Sequence, residues 1–132
     1  MASDVTMIEL PDGTGKKIKK DLYMVPRQTI SIVSGTTVYN FTVDATAYCT
    51  KISLVMPALS GAVVTGVVSI ENYNDDPVYE SSACAENDDH ILTPEGKGAP
   101  LVGDDNDVKL TLSTDPLSTG TAYITLYLDG GN

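Results

Sequence analysis

The chain has 132 residues, 42% of them hydrophobic, and a formal net charge of -10 from 18 acidic against 8 basic side chains. That length fits one domain able to bury its own core, and the composition is not that of a disordered chain. No apolar run approaches the roughly 20 residues that cross a bilayer, and so acidic a body repels phosphate backbones and anionic lipid, so neither nucleic acid nor membrane is an expected partner.

The charge is unevenly placed. Residues 1–27 carry Lys16, Lys17, Lys19, Lys20 and Arg27 against Asp4, Glu9, Asp12 and Asp21, five minus four, or +1. Residues 28–132 carry three lysines against fourteen acids, or -11. Pro11, Gly13, Gly15 and Pro26 punctuate the first stretch, and no alternation is sustained there. The reading is an extended N-terminal arm, 1–27, leading into a folded body, 28–132. Ile18, Leu22, Tyr23 and Met24 place apolar anchors beside the lysines and Arg27. That mixture suits a strap that orders on an acidic protein surface, of another protein or of a neighbouring copy: charge speeds the encounter and buried side chains hold it. The start, MASDVTMIELPDG, lacks a basic stretch followed by an apolar one, so a cytoplasmic origin is expected.

From residue 28 onward the dominant period is two. QTISIV and TTVYNFTV are separated by Ser34-Gly35, and KISLVMP places Ile52, Leu54 and Met56 on one face. GAVVTGVVSIE is apolar on both faces and predicts a central strand or one covered on both sides. Asn74-Asp75-Asp76-Pro77 then divides VVSIENY from VYESSA. NDDHILTPEGKGAPLVGDDND reads mainly as loop, with one short strand near Ile91-Leu92 or Leu101-Val102. DVKLTLS aligns Val108, Leu110 and Leu112; TAYITLYL aligns Ala122, Ile124, Leu126 and Leu128. Such alternation marks strands buried on one face. The turn signals predict three antiparallel hairpins, across Ser34-Gly35, across Asp75-Asp76-Pro77 and across residues 114–120. No window carries a 3.6-residue period. The fold class is all-β, a single antiparallel β-sandwich or jelly roll with an extended N-terminal arm.

Few residues point to chemistry. His90, the single histidine, stands beside Asp88 and Asp89 with Ser81 and Ser82 upstream. No GxSxG elbow accompanies it, and the expectation is a loop histidine in an acidic turn. Cys49 and Cys84 form no CxxC pair and are expected as two reduced, mostly buried thiols. Asp88-Asp89 and Asp104-Asp105-Asn106-Asp107 lack calcium-loop spacing and read as turn-capping acids. Asn40-Phe41-Thr42 matches a glycosylation acceptor but falls within a strand. Tyr123 and Tyr127 share the outward face of the last strand; cross-strand packing is the first reading, a second interface the next, and glycan binding the last. No catalytic residue, metal ligand or cofactor site is assigned, and no enzyme is expected.

The stretches GAVVTGVVSIENYNDDPVYESSACAEND and PLVGDDNDVKLTLSTDPLSTGTAYITLYLDG, within residues 61–128, resemble the small all-β virion proteins of tailed bacteriophages, the head decoration or cement proteins among them. Short Val/Thr-rich strands, D-D-P and D-P turns and a short polar C-terminus carry that likeness. It implies a non-enzymatic protein on the outer capsid surface, made in the host cytoplasm. Its partner would be the major capsid protein, whose adjacent subunits it would bridge, commonly as a homo-oligomer such as a trimer. The arm would be the strap. Alternatives are a carbohydrate-binding or adhesin-type sandwich module, and a phage tail or baseplate component.

Overall fold

The computed structural model describes residues 22–60, 63–72, 76–103 and 105–129. They form ten strands: β1 (Leu22–Ile32), β2 (Val38–Val43), β3 (Ala47–Met56), β4 (Thr65–Glu71), β5 (Pro77–Glu80), β6 (Cys84–Ala85), β7 (Asp88–Leu92), β8 (Ala99–Leu101), β9 (Asn106–Leu112) and β10 (Gly120–Asp129). Every pairing is antiparallel. One sheet runs β1-β10-β3-β7 with β8 also on β3; the other runs β2-β9-β4-β5 with β6 also on β4. β5 and β6 together make one broken edge strand, and β7 and β8 another. Counted so, the chain follows jelly-roll connectivity, a β-sandwich in which the chain crosses repeatedly between the two layers.

The period-two pattern places the core. Ile52, Leu54, Ile124 and Leu126 of the first sheet and Val68, Ile70, Val108 and Leu110 of the second are all 0% exposed. β4 is an interior strand as expected, but only Gly66, Val68 and Ile70 are buried while Val67 and Ser69 are half exposed, so it is covered on one face. Gly66 packs closely: a Cβ there would lie 2.9 Å from Leu110 Cδ1, so that side chain would have to shift. One short strand was expected in the loop-like stretch, at either of two places; strands form at both, as β7 and β8.

Two expected hairpins do not form. β1 pairs with β10 and β2 with β9, so the Ser34-Gly35 turn joins strands of different sheets. Likewise β9 and β10 belong to opposite sheets. Gly, Pro and Asp at these turns reverse the chain, but the reversal steps across the roughly 10 Å between layers instead of the roughly 4.8 Å between paired strands. Between β4 and β5 the expected hairpin is present.

The ladder also reaches further toward the N-terminus than residue 28. Leu22, Tyr23, Met24 and Val25 pair with Asp129, Leu128, Tyr127 and Leu126. Pro26 does not end the strand because it sits at a bulge on an edge strand, where a missing N–H costs no ladder bond. Residues 22–27, read as arm, are therefore the first half of β1. The other arm residues assigned to partner binding, Lys16, Lys17, Ile18, Lys19 and Lys20, lie outside the described residues.

Strand directions sort the connections into two ends. The start of β1, the end of β10 and the β2–β3, β4–β5 and β8–β9 connections share one end. Asp44, Glu71, Asp76, Asp105, Asp107 and Asp129 gather there. The β1–β2, β3–β4 and β9–β10 connections share the other.

Candidate docking face

The outer face of the first sheet brings together side chains far apart in sequence. On β10, Tyr123, Thr125 and Tyr127 alternate with the buried Ile124, Leu126 and Leu128 and so point away from the core. β3 sets Val55, Ser53 and Lys51 opposite them in that order. From β1, Thr29 lies opposite Tyr123 and Met24 opposite Tyr127.

Two irregularities aim cations at the tyrosines. The β1 ladder shifts register between Val25 and Gln28, and Gln28 Nε2 donates to Pro26 O at 2.8 Å across the bulge. This swings Arg27 over the Tyr123 ring, with its guanidinium carbon 4.2 Å from the centroid. A second shift, between Tyr127 and Leu128, leaves Thr50 as the extra residue on β3, its hydroxyl donating to Tyr127 O at 3.3 Å. Lys51 Nζ then lies 4.3 Å from the centre of the Tyr127 ring. Bulges re-aim side chains in this way, and each exposed cation–π contact contributes about 0.5–1 kcal/mol.

In sequence, Lys20 stands two residues before Leu22, the first residue of β1. Arg27 and Lys51 are two of the four cations among the described residues, the others being Lys97 and Lys109. The opposite sheet's outer face carries Asp107, Glu71 and Glu80 around Lys109, which bonds Glu71 at 3.1 Å. The first sheet's outer face thus holds two tyrosines, each under a cation, with Asp89 and Asp129 at its margins.

Of the sequence-assigned residues, Arg27, Met24, Tyr123 and Tyr127 come together here. Leu22 and Tyr23 are placed by their backbone in β1. Lys51 was missed: its position opposite Ile52 was legible, but its register with Tyr127 depends on a bulge that no local pattern marks.

The remaining candidates disperse. His90 belongs to β7, not to a loop, and its Nε2 lies 2.8 Å from Ala85 O. Ser81 Oγ accepts from Val68 N–H at 3.0 Å and donates to Ser82 O at 2.8 Å. Cys49 and Cys84 are buried free thiols, as expected. Burial pushes the Cys49 thiol up to about 12, against the smaller opposing effect of backbone hydrogen bonds, and burial raises Cys84 as well. A protonated thiol is a poor nucleophile. Asn40 donates to Asp107 Oδ1 at 3.3 Å. Among the described residues, no three His, Cys, Asp or Glu side chains are placed to hold a metal ion.

No known protein family and no curated protein matches the chain. A chain in the structure of infectious bursal disease virus, Gt strain, superposes with a TM-score of 0.37 at 9% identity, over 97% of this chain and 38% of that one. One from the Gx strain gives 0.36 at 10% identity, over 84% of this chain and 32% of that one. This chain thus spans well under half the length of either, and a superposition this loose decides nothing about function.

Proposed function

We propose that the protein is a non-enzymatic structural component of a tailed-phage particle, seated on the outer capsid surface, where it bridges adjacent major capsid subunits. One observation carries the reading: the lysine-rich segment leads directly into the strand that lays Arg27 over the Tyr123 and Tyr127 face. Four lysines thus stand, in sequence, just before a strand that helps build a face where Arg27 and Lys51 cover two tyrosines. An acidic shell surface complements it in charge, and the tyrosines supply rigid area to bury. Many copies on a lattice gain from multivalency, and binding only the assembled shell stabilises that shell by mass action. Viral shell proteins and lectins both use the jelly roll, so the choice between them rests on the face. A sugar ring stacking on Tyr123 or Tyr127 would meet rings that each have one face covered by a cation.

The test is sedimentation of the purified chain with empty capsids of the phage that encodes it. Saturable binding is expected, falling about tenfold or more when residues 1–21 are removed. Cutting at Leu22 keeps the whole β1 ladder; cutting after Arg27 would strip half of it. Absence of binding to capsids, with binding to purified tails instead, replaces the capsid assignment by the tail one. Binding to neither ends the proposal.

A further inference from the structure

The two flanks of the sandwich are built differently. On one, both edges are interrupted: β5 gives way to β6, and β7 to β8. Short, broken edges resist pairing with other chains. On the other flank the edges are β1, with 11 residues, and β2, with 6. Below the bulge β1 runs in regular register from Gln28 to Ile32 and, among the described residues, pairs on one side only, with β10. Between β1 and β2 lies a cleft of about 350 Å³, lined among others by Ile30, Ser31, Tyr39 and Phe41. Tyr39 and Phe41 point toward the core yet are only partly buried, whereas the inward side chains of β9 and β10 are sealed. The core is incomplete along this cleft, beside an open row of backbone donors and acceptors.

The 21 residues that precede β1 hold a segment that fits. Residues 5–10 read VTMIEL, with Thr6, Ile8 and Leu10 on one face of an extended chain, and Pro11-Asp12-Gly13 follows as a turn signal. The same chain does not deliver this segment to the cleft easily. A reversal at Pro11-Asp12-Gly13 brings residue 5 back only to about the level of Leu22, the far end of β1. A neighbouring copy can deliver it, because 21 residues reach roughly 70 Å when extended. Entering antiparallel to β1, residues 5–10 leave the cleft at the acidic end of the acceptor. The lysines of residues 16–20 then lie over Asp44 and Asp105, so charge fixes the direction of entry.

We propose that residues 5–10 of one copy add as a strand to the open edge of β1 of a second copy, in the cleft between β1 and β2. Backbone hydrogen bonds supply the affinity, and Ile8 and Leu10 cover Ile30 and Phe41, the mode of strand addition to an exposed edge. The contact needs no shell, so its test stands apart from that of capsid binding.

Analytical ultracentrifugation of the full chain at tens of micromolar is expected to show an oligomer. Ile8→Pro lies outside the folded body, so it should leave the circular dichroism unchanged while weakening association at least tenfold. Removing residues 1–12 should do the same. With Ile8 opposite Ile30, the outward-facing Met7 falls opposite the exposed Ser31, so mixing Met7→Cys chains with Ser31→Cys chains should give a disulfide-linked pair of the two on oxidation, beyond what either forms alone. A full chain that sediments as a monomer overturns the proposal, and this includes the case in which the segment folds back onto its own cleft. So does an oligomer that survives both Ile8→Pro and the deletion.

Discussion

Asn106 closes one end of the sandwich with a single side chain. It is fully buried, the only polar residue so placed among those described. Its Nδ2 donates to Val43 O and Gly103 O, both at 2.9 Å, with Ala45 O at 3.2 Å sharing one of the two hydrogens. Its Oδ1 accepts from Val102 N–H at 2.9 Å. Asn106→Asp keeps the shape but loses both donors and turns a carboxylate toward carbonyl oxygens. We expect it to cost about 3 kcal/mol at pH 7 in urea unfolding. A loss under about 0.5 kcal/mol would show that water replaces these bonds. Cys49 makes a different prediction. With its thiol held up near 12 from an ordinary 9.0, it stays protonated in the folded chain. Below pH 9.0 both states hold the proton and stability is unaffected; above it the unfolded chain ionises first, and stability falls progressively until about pH 12. At pH 8, Ellman's reagent should modify Cys49 on the order of a hundredfold more slowly in the native protein than in urea. Equal rates would place the thiol at the surface.

At the scale of the elements, Asp115 ties two crossovers between the sheets. Its Oδ1 accepts from Gly35 N–H and Leu117 N–H, each at 2.9 Å, and these two bonds lower its pKa below the ordinary 3.8. Gly35 takes φ +90, which favours glycine, so the turn is set to offer that N–H. The clamp is fully formed above the ordinary carboxylate value and lost as pH falls through the lower folded one. Asp115→Ala should speed hydrogen exchange at Gly35 several-fold near neutral pH; unchanged exchange would mean that the turn holds itself. No sequence pattern announces this pairing, although both turns are plain to read. The same split runs through the whole fold. Ile52, Leu54, Val108, Leu110, Ile124 and Leu126 were assigned correctly to buried faces because alternation is a local property. The partners of β1, β2, β9 and β10 were not legible, because turn residues encode reversal and not the layer in which the next strand lands. The docking face was half legible for the same reason: Tyr123 and Tyr127 follow from alternation, whereas Arg27 and Lys51 reach them through bulges.

Across the whole molecule, charge acts in two opposite senses. Residues 28–132 carry -11, and at low ionic strength that excess repels itself within one compact body. Any contact made by Lys16, Lys17, Lys19, Lys20 and Arg27 with an acidic surface is instead attractive. Raising salt from 0.01 M to 0.15 M shortens the screening length from roughly 30 Å to roughly 8 Å and weakens both effects. The chain lacking residues 1–21 retains every described strand, so its melting temperature reports the body alone, and it should rise by about 2–5 °C over that range. Self-association of the full chain, read by ultracentrifugation over the same range, should weaken about tenfold as the lysines lose their reach. Body and contact therefore move in opposite directions with one variable. A melting temperature that falls with salt would mean that the pairing of Glu71 with Lys109 and its like outweighs repulsion in the body. Association indifferent to salt would assign the contact to apolar side chains and leave the lysines no part in it.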